Sequence, residues 1–303
     1  MIRYRITHDT TYDYSEIVSL CQNVAHLVPR ECSRQRADES VLSITPDPAV
    51  IEDRIDFFGN PISYFTIQEQ HRELTVSVSH RVEVWSVPQL APLSTPAWET
   101  VRDRLRFDRS HDWLDAYQYA FDSRYVVADP RYATYAAPGF TPGQSIVEAA
   151  LDLTRRIYSE FIYDPRATNL ATPVAEVFEK RRGVCQDFAH LMLACLRSLG
   201  LAARYVSGYL STQPPPGKPR LVGADATHAW VSVFCGEAGW IDFDPTNNQI
   251  PGDRYVLLAW GRDYEDVSPL KGVILGGGQH TVRVSVDVRP EEVKSQTQTQ
   301  SQL

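Results

Sequence analysis

The sequence predicts an α+β protein, an N-terminal antiparallel β-sandwich followed by a mixed core in which helices lead into an antiparallel sheet. Two observations carry this. The first 90 or so residues show mostly strand periodicity, as in Thr75–Ser79 and Arg81–Trp85, where apolar and polar side chains alternate. Beyond residue 100 the apolar spacing becomes helical, and after Gly200 it returns to short strands. Sheets that alternate in this way bury one face each, so the N-terminal strands are expected to pack as a sandwich.

Taken in order, the elements read as follows. Phe57-Phe58-Gly59-Asn60-Pro61 is a turn between two strand-like runs, and residues 16–28 fit either a short helix or an irregular strand. Residues 86–99 contain Pro88, Pro92 and Pro96 and read as a linker. Trp113–Ala120 is helix-forming. Ile146, Ala149, Ala150, Leu153 and Ile157 define a helical face, and Pro173–Lys180 fits another short helix. The clearest helix starts at Cys185: Phe188, Leu191, Met192, Cys195, Leu196 and Leu199 form one apolar stripe, which Gly200 is placed to end. Strands follow at Ala203–Tyr209, His228–Phe234 and Gly239–Phe243, with a proline-rich surface loop at 213–219. Thr281–Val288 alternates once more, and the Gln/Ser/Thr-rich end reads as disordered. The expected organisation is a β-rich domain over 1–90, a linker and helical connection over 91–140, a core over 141–275, a strand over 276–290 and a tail over 291–303.

The 303 residues, 43% hydrophobic and 22% charged, have the composition of a globular protein with a sizeable core. A net charge of −8 argues against general nucleic-acid binding. No stretch is long and apolar enough for a membrane helix, and the first residues lack the apolar core of a signal peptide. Five scattered cysteines form no Cys-x-x-Cys pair, so neither a disulfide framework nor a structural zinc site is expected. These features lead us to expect a cytoplasmic chain with no cofactor, no metal, no nucleic-acid partner and no membrane partner.

Chemistry centres on Cys185. A thiolate is the nucleophilic form of cysteine, and a helix N-terminus favours it through its unpaired N–H groups and dipole. Those groups, the Cys185 backbone N–H among them, can also hold an oxyanion. Cys195 sits on the apolar stripe and Cys235 at a strand end, where buried structural cysteines are common. A base is needed next. His190 follows Cys185 by five positions, about 140° around a helix, and so points away from the thiol. His228 opens a strand and is better placed. The orienting carboxylate is Asp244 or Asp242, which share one strand face with Trp240. A hairpin centred on Gly236 sets His228 opposite Asp244 and Trp230 opposite Asp242, a register that favours Asp244. A metal site built from Cys185, His190 and His228 has no recognised ligand spacing.

The blocks Arg181-Arg182-Gly183-Val184-Cys185-Gln186-Asp187-Phe188-Ala189-His190, Gly200–Tyr209, His228-Ala229-Trp230 and Asp244-Pro245-Thr246-Asn247 occur in the order found in the bacterial transglutaminase-like superfamily. The chain resembles that family over about residues 150–275, and its β-rich start is similar to the N-terminal domain that often precedes such a core. The resemblance implies a papain-like core with Cys185 as nucleophile, His228 as general base and acid, and Asp244 as orienting carboxylate. Gln186 stands where animal transglutaminases usually carry tryptophan, so neither cross-linking activity nor calcium dependence carries over from them. Tyr163 is the candidate side-chain partner for the oxyanion. The function expected is thiol-dependent acyl transfer on a peptide or protein amide, with hydrolysis by a cysteine protease or amidase favoured. The alternatives are amine transfer by a protein-glutamine transglutaminase and a non-catalytic scaffold of the same fold.

Overall fold

The computed structural model describes residues 1–86, 95–212 and 227–291. The loop at 213–219, most of the proline-rich linker and all but the first residue of the tail lie outside the described residues.

The first sheet is antiparallel and seven-stranded: β1 (Ile2–Ala25), β2 (Gln35–Thr45), β3 (Val50–Ile55), β4 (Pro61–Ile67), β5 (His71–Val84), β12 (Leu270–Gly276) and β13 (His280–Glu291). Strand β1 organises it. Its first half lies between β5 and β13, and its second half between β4 and β12. The pairing shifts between Asp13 and Val18, where the long strand bends. The sheet therefore curls over itself, and the two layers of the sandwich are halves of one sheet. Val18, Cys21, Phe65, Ile67, Leu74 and Val76 fill the space between them. Residues 16–28 thus belong largely to the irregular strand.

Strand β12 falls inside the span 141–275 anticipated for the core, yet it pairs with β1. Its Leu270 and Ile274 pack on the core of the first sheet, which is why it belongs there. Helices α1 (Trp98–Phe107), α2 (His111–Tyr117) and α3 (Pro130–Ala136) occupy the span read as a linker and helical connection. They bury Trp98, Leu105, Trp113, Tyr132 and Tyr135 in the same core as the later helices.

That core surrounds α6 (Cys185–Ser198), whose residues from Asp187 to Arg197 are all buried. Helices α4 (Ile146–Glu160) and α5 (Val174–Lys180) flank it. Helix α4 starts at Ser145, which accepts from the Glu148 N–H, an N-cap. Helix α6 packs on an antiparallel sheet of order β10-β9-β8-β11, formed by Trp240–Phe243, Thr227–Phe234, Ala203–Leu210 and Tyr255–Gly261. A two-residue parallel ladder joins β6 (Ile162–Tyr163) to β7 (Arg182–Gly183) just before α6. The last helix, α7 (Tyr264–Val267), follows β11.

The two sheets share an apolar seam in which Tyr4, Ile6, Val84 and Val286 of the first meet Tyr209, Val256 and Leu258 of the second. Among the described residues no helix is long and apolar enough to cross a membrane.

Candidate active site

Cys185 is the first residue of α6 and is partly exposed. The turn that presents it is fixed by Asp187. One carboxylate oxygen of Asp187 accepts the Val184 N–H at 2.8 Å and the Thr168 hydroxyl at 2.6 Å. The carboxylate thereby closes the open end of the helix, where backbone donors lack partners. Gly183 is required for this: a Cβ there would lie 2.6 Å from the Asp187 Oδ2 and 2.8 Å from its Cβ.

His228 sits near the start of β9, opposite Gly208 of β8. A Cβ at Gly208 would stand 2.5 Å from the Trp230 ring, so glycine lets that indole lie against the sheet. Trp230 in turn stacks beside the His228 imidazole, with centroids 6.2 Å apart. The imidazole Nε2 is 2.7 Å from the Asp244 Oδ2. Asp244 is fully buried, and its carboxylate is saturated. Oδ2 also accepts from the Tyr255 hydroxyl at 2.6 Å and the Asn247 side-chain amide at 2.7 Å. Oδ1 accepts the backbone N–H groups of Thr246 at 2.8 Å and Asn247 at 3.2 Å.

Burial alone raises the Asp244 carboxyl, but its hydrogen bonds to His228, Tyr255 and Asn247 outweigh this and hold it below the ordinary carboxylate value. For His228, burial disfavours the cation. The hydrogen bond to Asp244 and the neighbouring Cys185 overcome that cost and raise the imidazole to about 10. The structure thus brings together Cys185, His228 and Asp244 from three separate segments.

Asp242 is engaged elsewhere: it accepts the Trp230 indole N–H at 3.1 Å and pairs with Arg34 at 3.1 Å. The hairpin that sets these positions is centred on Glu237, with Trp240 opposite Phe234 and Asp242 opposite Ser232. The expected centre at Gly236 was one residue short, because Gly236–Ala238 form a 3₁₀ turn closed by the Cys235 N–H on the Gly239 carbonyl. The correction moves each partner by two residues. Two is the strand period, so the faces are unchanged.

His190 is buried, stacks on Tyr125 and accepts the Tyr264 N–H at 3.2 Å. Burial lowers it to about 4. Cys195 and Cys235 are buried, and burial raises both thiols. Tyr163 lies on β6 opposite Gly183 and is 55% exposed. Burial of part of the ring and, next, Cys185 raise its phenol. Among the described residues no cluster of three or more His, Cys, Asp or Glu is arranged to hold a metal ion.

Two family models match the chain: the bacterial transglutaminase-like N-terminal region over residues 4–83, and the transglutaminase-like superfamily over residues 134–245. The chain belongs to the transglutaminase-like superfamily. Uncharacterized protein Rv2569c of Mycobacterium tuberculosis is 43% identical over 298 residues, covering 96% of this chain and 93% of its own. A Pseudomonas aeruginosa protein named protein-glutamine gamma-glutamyltransferase is 33% identical over 127 residues, 42% of this chain and 18% of that one. The crystal structure of a "Putative Cysteine Protease" from Cytophaga hutchinsonii aligns with a TM-score of 0.74 at 22% identity, covering 97% of this chain and 92% of that one. At that identity the match speaks for a shared fold. The transglutaminase-like core and its N-terminal sheet therefore occur together in one chain.

Sequence reasoning missed Tyr255 and the amide of Asn247. Asn247 was within reach, because a polar residue three positions after an aspartate in a turn is placed to donate back to it. Tyr255 gave no local signal: it arrives from β11, two strands away from β9.

Proposed function

We infer that this protein is a thiol acyl-transfer enzyme that cleaves amide or peptide bonds. The observation that carries the inference is the buried, fully hydrogen-bonded Asp244 at 2.7 Å from a His228 that lies beside the thiol of the first residue of α6. In this reading His228 takes the Cys185 proton, and Asp244 steadies the imidazolium that forms. The sulfur attacks the carbonyl carbon, and the electron pair of the C=O moves to oxygen. The Cys185 backbone N–H receives that oxyanion, with the half-exposed Tyr163 hydroxyl as second donor. Collapse breaks the C–N bond while His228 gives its proton to the departing amine, leaving a thioester and a neutral imidazole. Water then attacks, His228 takes its proton, and the acid leaves as the thiolate returns. Asp244 keeps the imidazole in one orientation and stabilises its cation throughout.

The identity to the Pseudomonas glutamyltransferase supports a second reading, in which a primary amine replaces water in the last step. The two readings differ in the acceptor alone.

Iodoacetamide labelling tests the nucleophile. Cys185 is expected to react at least tenfold faster than the buried Cys195 and Cys235, a difference of roughly 1.4 kcal/mol or more in barrier. Equal rates would remove the activated thiolate. Incubation with peptide and glutamine-amide substrates, with and without a primary amine, separates the acceptors by mass. Hydrolysis leaves a free acid, transfer leaves a substituted amide, and Cys185→Ala abolishes both.

A further inference from the structure

A cavity of about 520 Å3 opens against strands β8, β10 and β11 of the core sheet, lined in part by Arg34, Arg204, Trp240, Asp242, Ile250 and Trp260. None of Cys185, His228 or Asp244 lines it. Its volume is that of a small-molecule site.

Arg204 is the unusual group in it. Its side chain is 92% buried, being 8% exposed. The guanidinium carbon lies 3.6 Å from the ring centroid of Trp260 and 4.2 Å from that of Trp240. Arg30 also stands 3.6 Å from the Trp260 centroid. Two carbons at that distance cannot share one face of a ring, so Arg30 and Arg204 cover opposite faces. The stack Arg30–Trp260–Arg204–Trp240 fixes the plane of the Arg204 guanidinium and leaves its edge uncovered. Cation–π contact stabilises the charge but supplies no acceptor for the N–H groups. The Arg204 Nε is buried with no hydrogen-bond partner among the described residues. Asp242, the acid that acts most strongly on Arg204, already receives Arg34 and the Trp230 indole N–H on its Oδ2. A buried donor without an acceptor is costly, and natural structures almost always fill it.

We propose that this cavity is a binding site for a small monocarboxylate with an apolar body, held by the edge of Arg204. The planar edge presents parallel N–H donors that match the two oxygens of a carboxylate. One charge is called for: Asp242 neutralises Arg34, and Asp253 also lines the cavity, so a dianion would meet two carboxylates at close range. The apolar body is set by Val206, Ile250, Leu257 and the Trp240 ring. The site is independent of the chemistry assigned to Cys185. It communicates with that region through Asp242, whose partner Trp230 stacks beside His228.

Isothermal titration of the full chain tests this, with phenylacetate as the probe and 2-phenylacetamide and inorganic phosphate as controls. Phenylacetate is expected to bind saturably at one site. The neutral amide and the phosphate are expected to bind about tenfold or more weakly, the loss that follows when a charged hydrogen-bonding pair is not formed. Arg204→Gln is expected to weaken phenylacetate by a similar factor. Ile250→Trp narrows the cavity at a residue that is 38% exposed, so the fold survives and the probe is expected to be excluded. Cys185→Ala is expected to bind phenylacetate as the parent does. The proposal is overturned if phenylacetate does not bind, if amide or phosphate binds equally well, or if Ile250→Trp leaves binding unchanged. Loss of binding in Cys185→Ala would also overturn it, by moving the probe to the thiol site.

Discussion

Three donors converge on a single oxygen of Asp244: the His228 imidazole, the Tyr255 hydroxyl and the Asn247 amide. That oxygen governs the protonation of His228. Folding raises the imidazole from 6.5 to about 10, so the folded chain holds a proton that the unfolded chain releases between those values. The stabilisation this gives is fully present below about pH 6.5 and is lost as pH rises through about 10. Asp244 supplies the opposite limb: its value is held down, so its contribution fades as pH falls through the folded value. In Asp244→Asn the imidazole loses its anionic partner, and its apparent pKa is expected to fall by about one to three pH units. NMR titration of the labelled His228 ring checks this. A parent ring that titrates at the ordinary histidine value, or a variant ring that titrates with the parent, would refute the pairing.

At the scale of single elements, the presentation of Cys185 depends on the turn from Gly183 to Asp187. Gly183→Ala drives a methyl group to 2.6 Å from the Asp187 carboxylate, which must swing out and release the Val184 N–H and the Thr168 hydroxyl. The expected cost is about 1–3 kcal/mol, as for other overpacked sites, with slower alkylation of Cys185. Gly252→Ala is the control, since no heavy atom of the described residues beyond its chain neighbours lies within 4 Å of its Cβ position, and it is expected to change stability by no more than about 0.5 kcal/mol. Denaturant midpoints of the two variants decide the matter, and equal midpoints would show that the turn is not under this constraint. Elements of this kind were the most legible part of the sequence. The stripe from Phe188 to Leu199 and the stop at Gly200 read directly as α6, and the alternation of β9 and β10 put His228 on the same face as Asp244. What local pattern does not contain is loop width and long-range pairing. The 3₁₀ turn at Gly236–Ala238 displaced the hairpin register by two residues. The strand at Leu270–Gly276 went unread within the span given to the core, and its partner β1 lies at the other end of the chain.

On the scale of the whole molecule, the N-terminal sheet does more than pack beside the core: it completes the edge of the core sheet. Strand β11 is the last strand of that sheet, so its outer N–H and C=O groups need partners. Two buried side-chain amides from the N-terminal domain act as those partners. Gln35 donates to the Leu257 carbonyl at 2.6 Å and accepts the Leu257 N–H at 2.8 Å. Asn60 donates to the Trp260 carbonyl at 2.8 Å and accepts the Trp260 N–H at 3.0 Å. Each amide imitates one residue of an absent strand, on either side of the register shift between Leu257 and Ala259. Because β11 also carries Tyr255, and Tyr255 holds Asp244, the N-terminal domain steadies the candidate site without touching it. Gln35→Met keeps the side-chain volume and removes both bonds to Leu257 together with a third, from the Gln35 amide to the Arg30 carbonyl at 2.7 Å, which leaves two buried backbone groups of β11 unpaired. The expected loss is about 2–6 kcal/mol, since each of the two buried orphans costs roughly 1–3 kcal/mol. Calorimetric unfolding is expected to give a lower midpoint in a single shared transition, because the seam of Tyr4, Ile6, Tyr209 and Val256 still couples the two sheets. A variant that unfolds with the parent would mean that water satisfies β11 as well as Gln35 does, and the link from the N-terminal domain to Asp244 would fail with it.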